Sequence, residues 1–232
     1  MKTIINHIKL HKLKYGLGLI LLIFAGGVSF KQIFDKTIKA RNTKIEYIVV
    51  HYTANLDPKA DAEANAIYLR NKKSAGCHYI VDDQEIIQCT AEENVAYAVG
   101  DKKWFGFIPK PWHKNKITNN NSLSFEMCLG GGRNDSLIIE QTAQYVAWQM
   151  VNKGMLMIQQ QEVWDPIQKK KVLMYRKVPD LGRVVRHHDV SGKHCPKFYY
   201  WAEWDQNKED RAFYLFKMKV DKYVKLKLNE KK

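Results

Sequence analysis

Strand-like apolar stretches alternate with helical stretches along most of the chain, and this order limits the possible folds more than any other feature. Residues 45–54, IEYIVVHYTA, alternate in polarity and are rich in Val, Ile and Tyr, which predicts a strand that ends near His51. The next segment has helical character after an Asp-Pro start, with Asp57 as the candidate N-cap. Strands that alternate with helices predict a mixed α/β domain.

The segments downstream continue this order. Two apolar runs around a polar turn in CHYIVDDQEIIQC, residues 77–89, predict a hairpin. NSLSFEMCLGGG, residues 121–132, predicts a strand that three glycines end, and residues 136–155 predict an amphipathic helix. The tail from Trp201 predicts a last helix. Gln159–Asp180 looks like an inserted hairpin or loop, and the sequence assigns it no function.

The N-terminus differs from the rest of the chain. A basic stretch precedes the uncharged apolar run Gly16–Phe30, whose 15 residues are few for a full membrane span and enough for the core of a signal peptide. We expect an N-terminal membrane-directed helix that acts as an uncleaved signal anchor, with cleavage near Ala25 and Gly27 as the alternative. The predicted division is 1–35 for this segment, 36–44 for a linker and 45–232 for the domain.

The charge of the chain points to a polyanionic partner. The net charge is +14, of which residues 1–44 contribute +8 and the rest +6. A basic body suits nucleic acid, anionic lipid or an acidic wall polymer. The four cysteines are far apart and form no CxxC pair, which argues against a zinc ribbon. Cys77 and Cys89 flank the predicted hairpin, where either a disulfide or two reduced thiols would fit.

A short segment near the C-terminus concentrates metal-binding residue types. RHHDVSGKHCP, residues 186–196, holds three histidines and a cysteine. His51 ends the first predicted strand, His187 ends a later one, and Cys195 follows a glycine-containing loop. Two imidazoles and a thiolate would leave a fourth position open on a tetrahedral zinc. Taken singly, each histidine is more typical of a structural or surface residue than of a ligand, and Cys195 is typical of a small buried apolar residue.

Five sequence blocks together resemble a known family, the zinc-dependent N-acetylmuramoyl-L-alanine amidases of type 2, related to phage amidase lysozymes and peptidoglycan recognition proteins. The resemblance covers about Ile45 to Pro196. The blocks are IVVHYTA with His51, SAGCHYIVD with His78, VAYAVGD, NNNSLSFEMCLGGG with Glu126, and RHHDVSGKHCP with His187, Lys193 and Cys195.

The resemblance implies a single domain with a central mixed β-sheet flanked by helices. It implies a Zn²⁺ ion held by His51, His187 and Cys195, and hydrolysis of the amide between N-acetylmuramic acid and L-alanine in peptidoglycan or muropeptides. On this basis we expect Glu126 to act as general base and Lys193 to stabilise the oxyanion. The family pattern places the ligand directly after Arg186, which favours His187 over His188.

Three residues are candidates for contact with the substrate. His78 would touch the substrate or orient a ligand, although a packed hairpin residue is the alternative. Trp104 and Trp112 lie in an aromatic loop whose rings could stack on sugars or pin the loop to the core. The phage enzymes carry a Tyr where this chain has Cys77.

Other functions fit the sequence less well. A non-catalytic peptidoglycan-binding module is the main alternative, but all three ligand positions are filled. No nucleic-acid motif accompanies the charge. We expect a monomer in the cell envelope, anchored in the membrane with its catalytic domain on the wall side, or secreted after signal cleavage. The biological role would be wall remodelling or that of a phage endolysin.

Overall fold

The computed structural model describes residues 29–33, 39–72, 75–100 and 116–230. The strands are β1 Ser29–Gln32, β2 Tyr47–Tyr52, β3 Tyr79–Val81, β4 Glu85–Gln88, β5 Ser122–Met127, β6 Leu156–Asp165, β7 Lys170–Pro179 and β8 Val184–Arg186. The helices are α1 Ala62–Arg70, α2 Asp135–Asn152, α3 His187–Ser191 and α4 Gln206–Asn229, with a 3-10 turn at Leu181–Arg183. Among these helices, none is both long and apolar enough to cross a bilayer.

Six strands form one mixed sheet in the order β1-β4-β3-β5-β2-β8. The four strands β3, β5, β2 and β8 run parallel, β4 is antiparallel to β3, and β1 pairs in parallel with β4. The predicted hairpin at residues 77–89 is therefore confirmed as β3–β4. Because parallel strands share one direction, the C-terminal ends of β2, β5 and β8 meet at one end of the domain, which we call the metal end.

Helices cover both faces of this sheet, as an α/β domain with buried parallel strands requires. On one face, Ile48 and Phe125 join a core with residues of α2 and α4 such as Val146 and Phe216. On the other, α1 packs over β3 and β4 through Ala62 and Ala66. The prediction of a central mixed sheet flanked by helices is confirmed. The N-terminal membrane-directed helix falls mostly in residues 1–28, which lie outside the described ranges.

The first helix begins later than the sequence suggested. Its N-cap is Asp61, whose side chain accepts a hydrogen bond from the Ala64 N–H at 2.8 Å. Asp57, the predicted cap, instead accepts from the Lys59 N–H in the preceding turn. Both aspartates precede the helix. Only Asp61 lies three residues before a backbone N–H of the first turn that needs an acceptor, as an N-cap does. The expectation for Asp57 was wrong.

The predicted insertion is a two-stranded antiparallel ribbon formed by β6 and β7, Leu156–Pro179, which we call the ribbon. Its base joins the domain, since Leu156 packs on the main core and the Asp180 N–H donates to the Met155 carbonyl at 3.1 Å. The 3-10 turn leads from β7 into the N-terminal end of β8. The ribbon therefore leaves the domain at the end opposite to the metal end.

Part of the predicted N-terminal segment and linker contacts the domain. Phe30 in β1 is buried and its ring lies 6.1 Å from that of Tyr145 in α2. Arg41 donates to the Glu92 carbonyl at 2.9 Å and to the Ser122 carbonyl at 3.1 Å. These contacts fix residues before the predicted start of the domain at Ile45, while the division at 35 and 44 stays a prediction.

All four cysteines are buried free thiols. Cys77 and Cys89 lie in one apolar cluster, and burial together with hydrogen bonding to Cys89 raises the pKa of the Cys77 thiol well above its ordinary value. Of the two states that the sequence left open for this pair, the structure has the reduced one.

Candidate metal centre and active site

Strand register brings two of the predicted site residues together. His51 near the end of β2 lies directly opposite Glu126 near the end of β5, and neighbouring residues in register share one face of the sheet. On the other side of β2, Val50 pairs with Arg186, the last residue of β8. His187 thus follows at the level of His51, and three strands converge at the metal end.

A one-turn helix returns the chain to this point. The backbone N–H of Arg186 donates to Asp189 at 2.9 Å, which caps α3, and Gly192 ends the turn in the left-handed region at φ 75°. The His188 N–H then donates to the Cys195 carbonyl at 2.7 Å, which folds Cys195 back against the start of α3. The local sequence RHHDVSGKHC therefore forms a closed loop around its own histidines.

His51, His187 and Cys195 present three donor atoms that all lie within 4.8 Å of one another. The Nδ1 atoms of His51 and His187 are 3.1 Å apart, and Cys195 Sγ lies 3.8 Å from His51 Nδ1. Bond lengths to tetrahedral zinc imply N–N and N–S separations of about 3.3 and 3.6 Å. The spacing and the two-nitrogen, one-sulfur donor set fit a zinc site.

The protonation of these side chains also fits metal binding. Burial lowers the pKa of His51 well below its ordinary value, helped by His187 and Lys193, and burial with Lys193 lowers the pKa of His187 to about 3. Both imidazoles are thus neutral at pH 7, the form that binds metals. Burial raises the pKa of the Cys195 thiol to about 12, a cost that a bound dication offsets.

Glu126 lies beside this cluster with its Oε1 3.9 Å from His51 Nδ1. The side chain is 17% exposed, and its Oε2 is buried without a hydrogen-bond partner among the described residues. Burial raises the pKa of Glu126 to about 8, while Lys193 acts in the opposite direction. A carboxyl group whose pKa lies near neutrality and that touches a metal site can accept and return a proton.

Lys193 is an exposed residue of the loop between Gly192 and Cys195. Its ammonium lowers the pKa values of His51, His187, Glu126 and Cys195, so its positive charge acts on all four of these groups. A cation at the rim of a metal site can stabilise negative charge that develops on a substrate oxygen.

His188 and His194 lie apart from the donor cluster. The Nδ1 of His188 bonds to the Lys193 carbonyl at 3.0 Å, and its ring lies 4.9 Å from that of Trp204. The His194 ring stacks on Trp204 at 4.3 Å. The structure thus groups His187 with His51 and Cys195. The two histidines diverge because they occupy successive positions of a helical turn. The strand predicted to end at His187 ends one residue earlier, at Arg186, and α3 begins at His187.

The three predicted substrate contacts have different outcomes. His78 is 1% exposed, its Nδ1 lies 3.0 Å from Ser124 Oγ, and its Nε2 lies 2.8 Å from the Arg41 guanidinium. These are the contacts of a packed residue, and a substrate contact for His78 stays a prediction. Trp104 and Trp112 lie in residues 101–115, outside the described part of the chain.

Sequence reasoning missed two groups that hold the site loop in place. Arg186 forms ion pairs with Asp189 and with Asp210 of α4, both at 2.7 Å. Glu209 is 1% exposed and accepts the backbone N–H groups of Phe198 and Tyr199 at 2.8 and 3.1 Å. The Arg186–Asp189 ion pair could have been predicted from the three-residue spacing of the two residues. The contacts of Asp210 and Glu209 could not, because no local sequence pattern relates α4 to this loop.

Comparison with known families identifies the chain. The sequence pattern of the family described as N-acetylmuramoyl-L-alanine amidase matches residues 41–198. This range covers more than half of the chain and contains every residue of the candidate site. The chain belongs to this amidase family, as the motif resemblance predicted.

Individual relatives agree with this assignment. N-acetylmuramoyl-L-alanine amidase CwlL of Bacillus licheniformis is 29% identical over 76% of this chain and 41% of its own length. N-acetylmuramoyl-L-alanine amidase XlyB of Bacillus subtilis is 28% identical over 70% of this chain and 41% of its own length. The chain thus spans less than half the length of these two relatives.

Solved structures show the same fold. A mutant endolysin from Bacillus subtilis superposes with a TM-score of 0.56 at 24% identity, covering 83% of this chain and 99% of that one. The catalytic domain of XlyA gives a TM-score of 0.54 at 22% identity, over 82% of this chain and 99% of that one. At these identities the likeness concerns the fold.

Proposed function

We propose that this protein is a zinc-dependent N-acetylmuramoyl-L-alanine amidase that hydrolyses the amide between N-acetylmuramic acid and L-alanine of peptidoglycan. The observation that carries the proposal is the convergence of His51, His187 and Cys195 within 4.8 Å beside Glu126. Family membership supports it, because the relatives are named for this reaction.

Each residue of the site would have a separate role in the hydrolysis. His51, His187 and Cys195 would hold a Zn²⁺ ion, which supplies Lewis acidity to polarise the scissile carbonyl and activate water. Glu126 would accept a proton from the attacking water through its carboxylate and return it to the nitrogen of the leaving L-alanine. The Lys193 ammonium would stabilise the negative charge on the carbonyl oxygen.

The structure supports these roles through burial and charge. Neutral, buried histidines leave their lone pairs for a metal, and the 17% exposure of Glu126 leaves its carboxylate accessible from solvent. The buried Oε2 of Glu126 has hydrogen-bonding capacity that the described residues leave unused. A water molecule or a substrate amide would use it.

The decisive experiment incubates the full chain with purified peptidoglycan, with and without a zinc chelator. Mass spectrometry should detect stem peptides with a free L-alanine amine, and their release should stop with the chelator and return with added Zn²⁺. The metal content of the protein is measured in parallel. If the protein binds one zinc per chain but releases no product, the hydrolase proposal is wrong, and a peptidoglycan-binding module becomes the proposed function.

We propose further that the protein works in the cell envelope as a monomer, with the part of the apolar run that precedes β1, residues 16–28, at the membrane and the domain on the wall side. The basic flank and the uncharged run support the location. Membrane fractionation with protease accessibility tests the location, and sedimentation tests the monomer. A soluble protein in the cytoplasmic fraction would contradict the location.

A further inference from the structure

The ribbon exposes large apolar side chains, and the four most exposed of those in its strands share one face, whereas Met157 at 47% and Met174 at 53% lie on the other. Directly paired residues of antiparallel strands share a face, so the pairs Ile158–Lys177 and Trp164–Lys171 lie on the same side. We call this side the exposed face. Its apolar members and their exposed fractions are Ile158 at 68%, Trp164 at 60%, Leu173 at 57% and Tyr175 at 64%.

These four side chains form a continuous stripe. Tyr175 lies opposite Gln160 and Leu173 opposite Glu162, so Tyr175 is a diagonal neighbour of Ile158, and Leu173 of Trp164. Lys177 and Lys171 flank the two ends of the stripe. At the tip of the ribbon, Ile167 is 90% exposed. An apolar stripe with a basic border runs from near the base of the ribbon to its tip.

The ribbon is also positively charged. Residues 156–179 contain five Lys or Arg residues and two acidic ones, a net charge of +3. Of the two acidic residues, Glu162 is paired with Lys171 at 3.2 Å. Three consecutive lysines, Lys169 to Lys171, adjoin Ile167 at the tip. Charge and apolar exposure therefore coincide in one small element.

Such a ribbon is unusual on a surface that faces only water. An isolated two-stranded hairpin is marginally stable, and exposed apolar patches on monomeric proteins commonly mark an interaction site. Aliphatic, aromatic and basic side chains on one thin element match the layers of a lipid headgroup region. Trp and Tyr favour that interface, and lysine stems can lie along it with their charges in water.

We propose that the exposed face and tip of the ribbon dock on the surface of an anionic lipid bilayer. The stripe would enter the interface between headgroups and acyl chains, and the lysines would contact lipid phosphates. This contact would be separate from the N-terminal apolar run and from the metal end. It does not depend on the proposed catalytic activity.

Two other occupants fit less well. A second copy would bring together two ribbons that each have a net charge of +3, with like charges at both ends of each stripe. An anionic wall polymer would pair with the lysines, but it offers no apolar environment for Ile158, Ile167 and Leu173. A lipid surface satisfies both the charge and the apolar stripe.

The test places an environment-sensitive fluorophore at the ribbon tip of the full chain through Ile167→Cys. The four native cysteines are buried, so the new thiol is the accessible one among the described residues. We expect a blue shift with phosphatidylglycerol vesicles, which weakens at high salt, and none with phosphatidylcholine vesicles. Because the label reports its own surroundings, insertion of the N-terminus does not mimic the result.

Two variants separate the charge from the apolar stripe. Lys170→Gln/Lys177→Gln should weaken the response to anionic vesicles by about fivefold for each lysine. Ile158→Ser/Leu173→Ser should abolish the blue shift. The matched control, Lys59→Gln/Lys208→Gln, removes the same charge away from the ribbon and should leave the response unchanged. Hydrolysis of a soluble muropeptide should be the same in all three.

Several results would overturn the proposal. These are a label that stays in a water-like environment on vesicles that bind the protein, or an equal response to both lipids. A shift with purified wall polymer instead of vesicles would assign the face to that polymer. A lipid-independent shift that grows with protein concentration would assign it to a second copy of the chain.

Discussion

The metal end and the ribbon expose their key side chains to opposite degrees. His51, His187 and Cys195 are at most 5% exposed, whereas Ile158, Trp164 and Tyr175 of the ribbon are at least 60% exposed. At the metal end, three strands and a helical turn surround polar donors, and the ribbon instead carries apolar groups outward on two strands. Burial at the first end sets protonation states, and exposure at the second leaves surface for a partner.

The difference teaches that one small domain can separate chemistry from docking. The metal end depends on contacts between distant parts of the chain, such as Asp210 of α4 with Arg186. The ribbon depends mostly on pairing between its own two strands. Changes in the ribbon should therefore leave the metal end intact. Four substitutions near the metal end and one shortening of the ribbon test this separation, from the largest expected effect to the smallest.

Removal of a metal ligand should have the largest effect. His187→Ala should lose bound zinc and reduce amidase activity to background, because two ligands leave the ion weakly held. His188→Asn, which keeps a donor for the Lys193 carbonyl, is the matched control and should retain zinc. Metal content and product release are measured for both. Zinc loss in the His188 variant alone would exchange the roles of the two histidines.

Neutralising the proposed base should come next. Glu126→Gln should lower kcat by about 10²–10⁴-fold while zinc content stays the same, because the amide cannot accept the proton from water. Glu162→Gln makes the same change on the ribbon and should have no effect on kcat. If Glu126→Gln remained fully active, another group would have to act as the base.

Removal of the positive charge of Lys193 should have the third-largest effect on the rate. Lys193→Ala should lower kcat by about 10²–10³-fold with a smaller change in KM, since its charge would act mainly on the developing oxyanion. Lys193→Arg should restore part of the rate. Lys197→Ala, which removes the same charge four residues further along the chain, serves as the control. A change confined to KM would make Lys193 a substrate-binding residue instead.

Replacing Glu209, which holds the segment after Cys195, should lower the stability of the protein. Glu209→Gln removes a buried carboxylate that accepts two backbone N–H groups, and should lower the free energy of unfolding by about 1.5–3 kcal/mol. Urea unfolding measures this, with Glu203→Gln as a nearby control. An unchanged midpoint would mean that the segment after Cys195 holds its place without this carboxylate.

Shortening the ribbon should have the smallest effect on catalysis. Met157 and Val178 lie directly opposite each other, so an Asn-Gly turn between them can replace residues 158–177. Zinc content and the rate on a soluble muropeptide should stay within about twofold, as for changes remote from a site. A large loss of zinc would show that the ribbon supports the metal end.

The strands and the site residues could be predicted because they depend on patterns of residues close together in the sequence. Alternating apolar residues located β2 and β5, and the order of motifs placed His51, Glu126, His187 and Cys195 in one site. Local patterns could not show that α4 reaches Arg186 through Asp210, because that contact joins residues far apart in the chain. They also missed Arg41, whose neighbours resemble a linker. Its guanidinium donates to five backbone carbonyls in two segments, 92–94 and 119–122, and contacts His78.

The ribbon is a second feature that could be predicted only in part from the sequence. Its strand pattern was visible as a hairpin or loop, but no motif in residues 159–180 indicated a partner. Its amphipathic stripe appears only once the register pairs Tyr175 with Gln160 and Leu173 with Glu162. The two-residue period of each strand alone does not fix which residues of the partner strand lie beside it.

The distance along the chain between the three metal donors has a consequence for biosynthesis. His51 and His187 are separated by 136 positions, and His51 and Cys195 by 144. During translation the first donor emerges long before the other two. The complete site can form only after β8 has joined β2, so a growing or truncated chain that ends before residue 195 lacks the third metal donor. The order of synthesis thereby delays the assembly of the metal site until the domain is nearly complete.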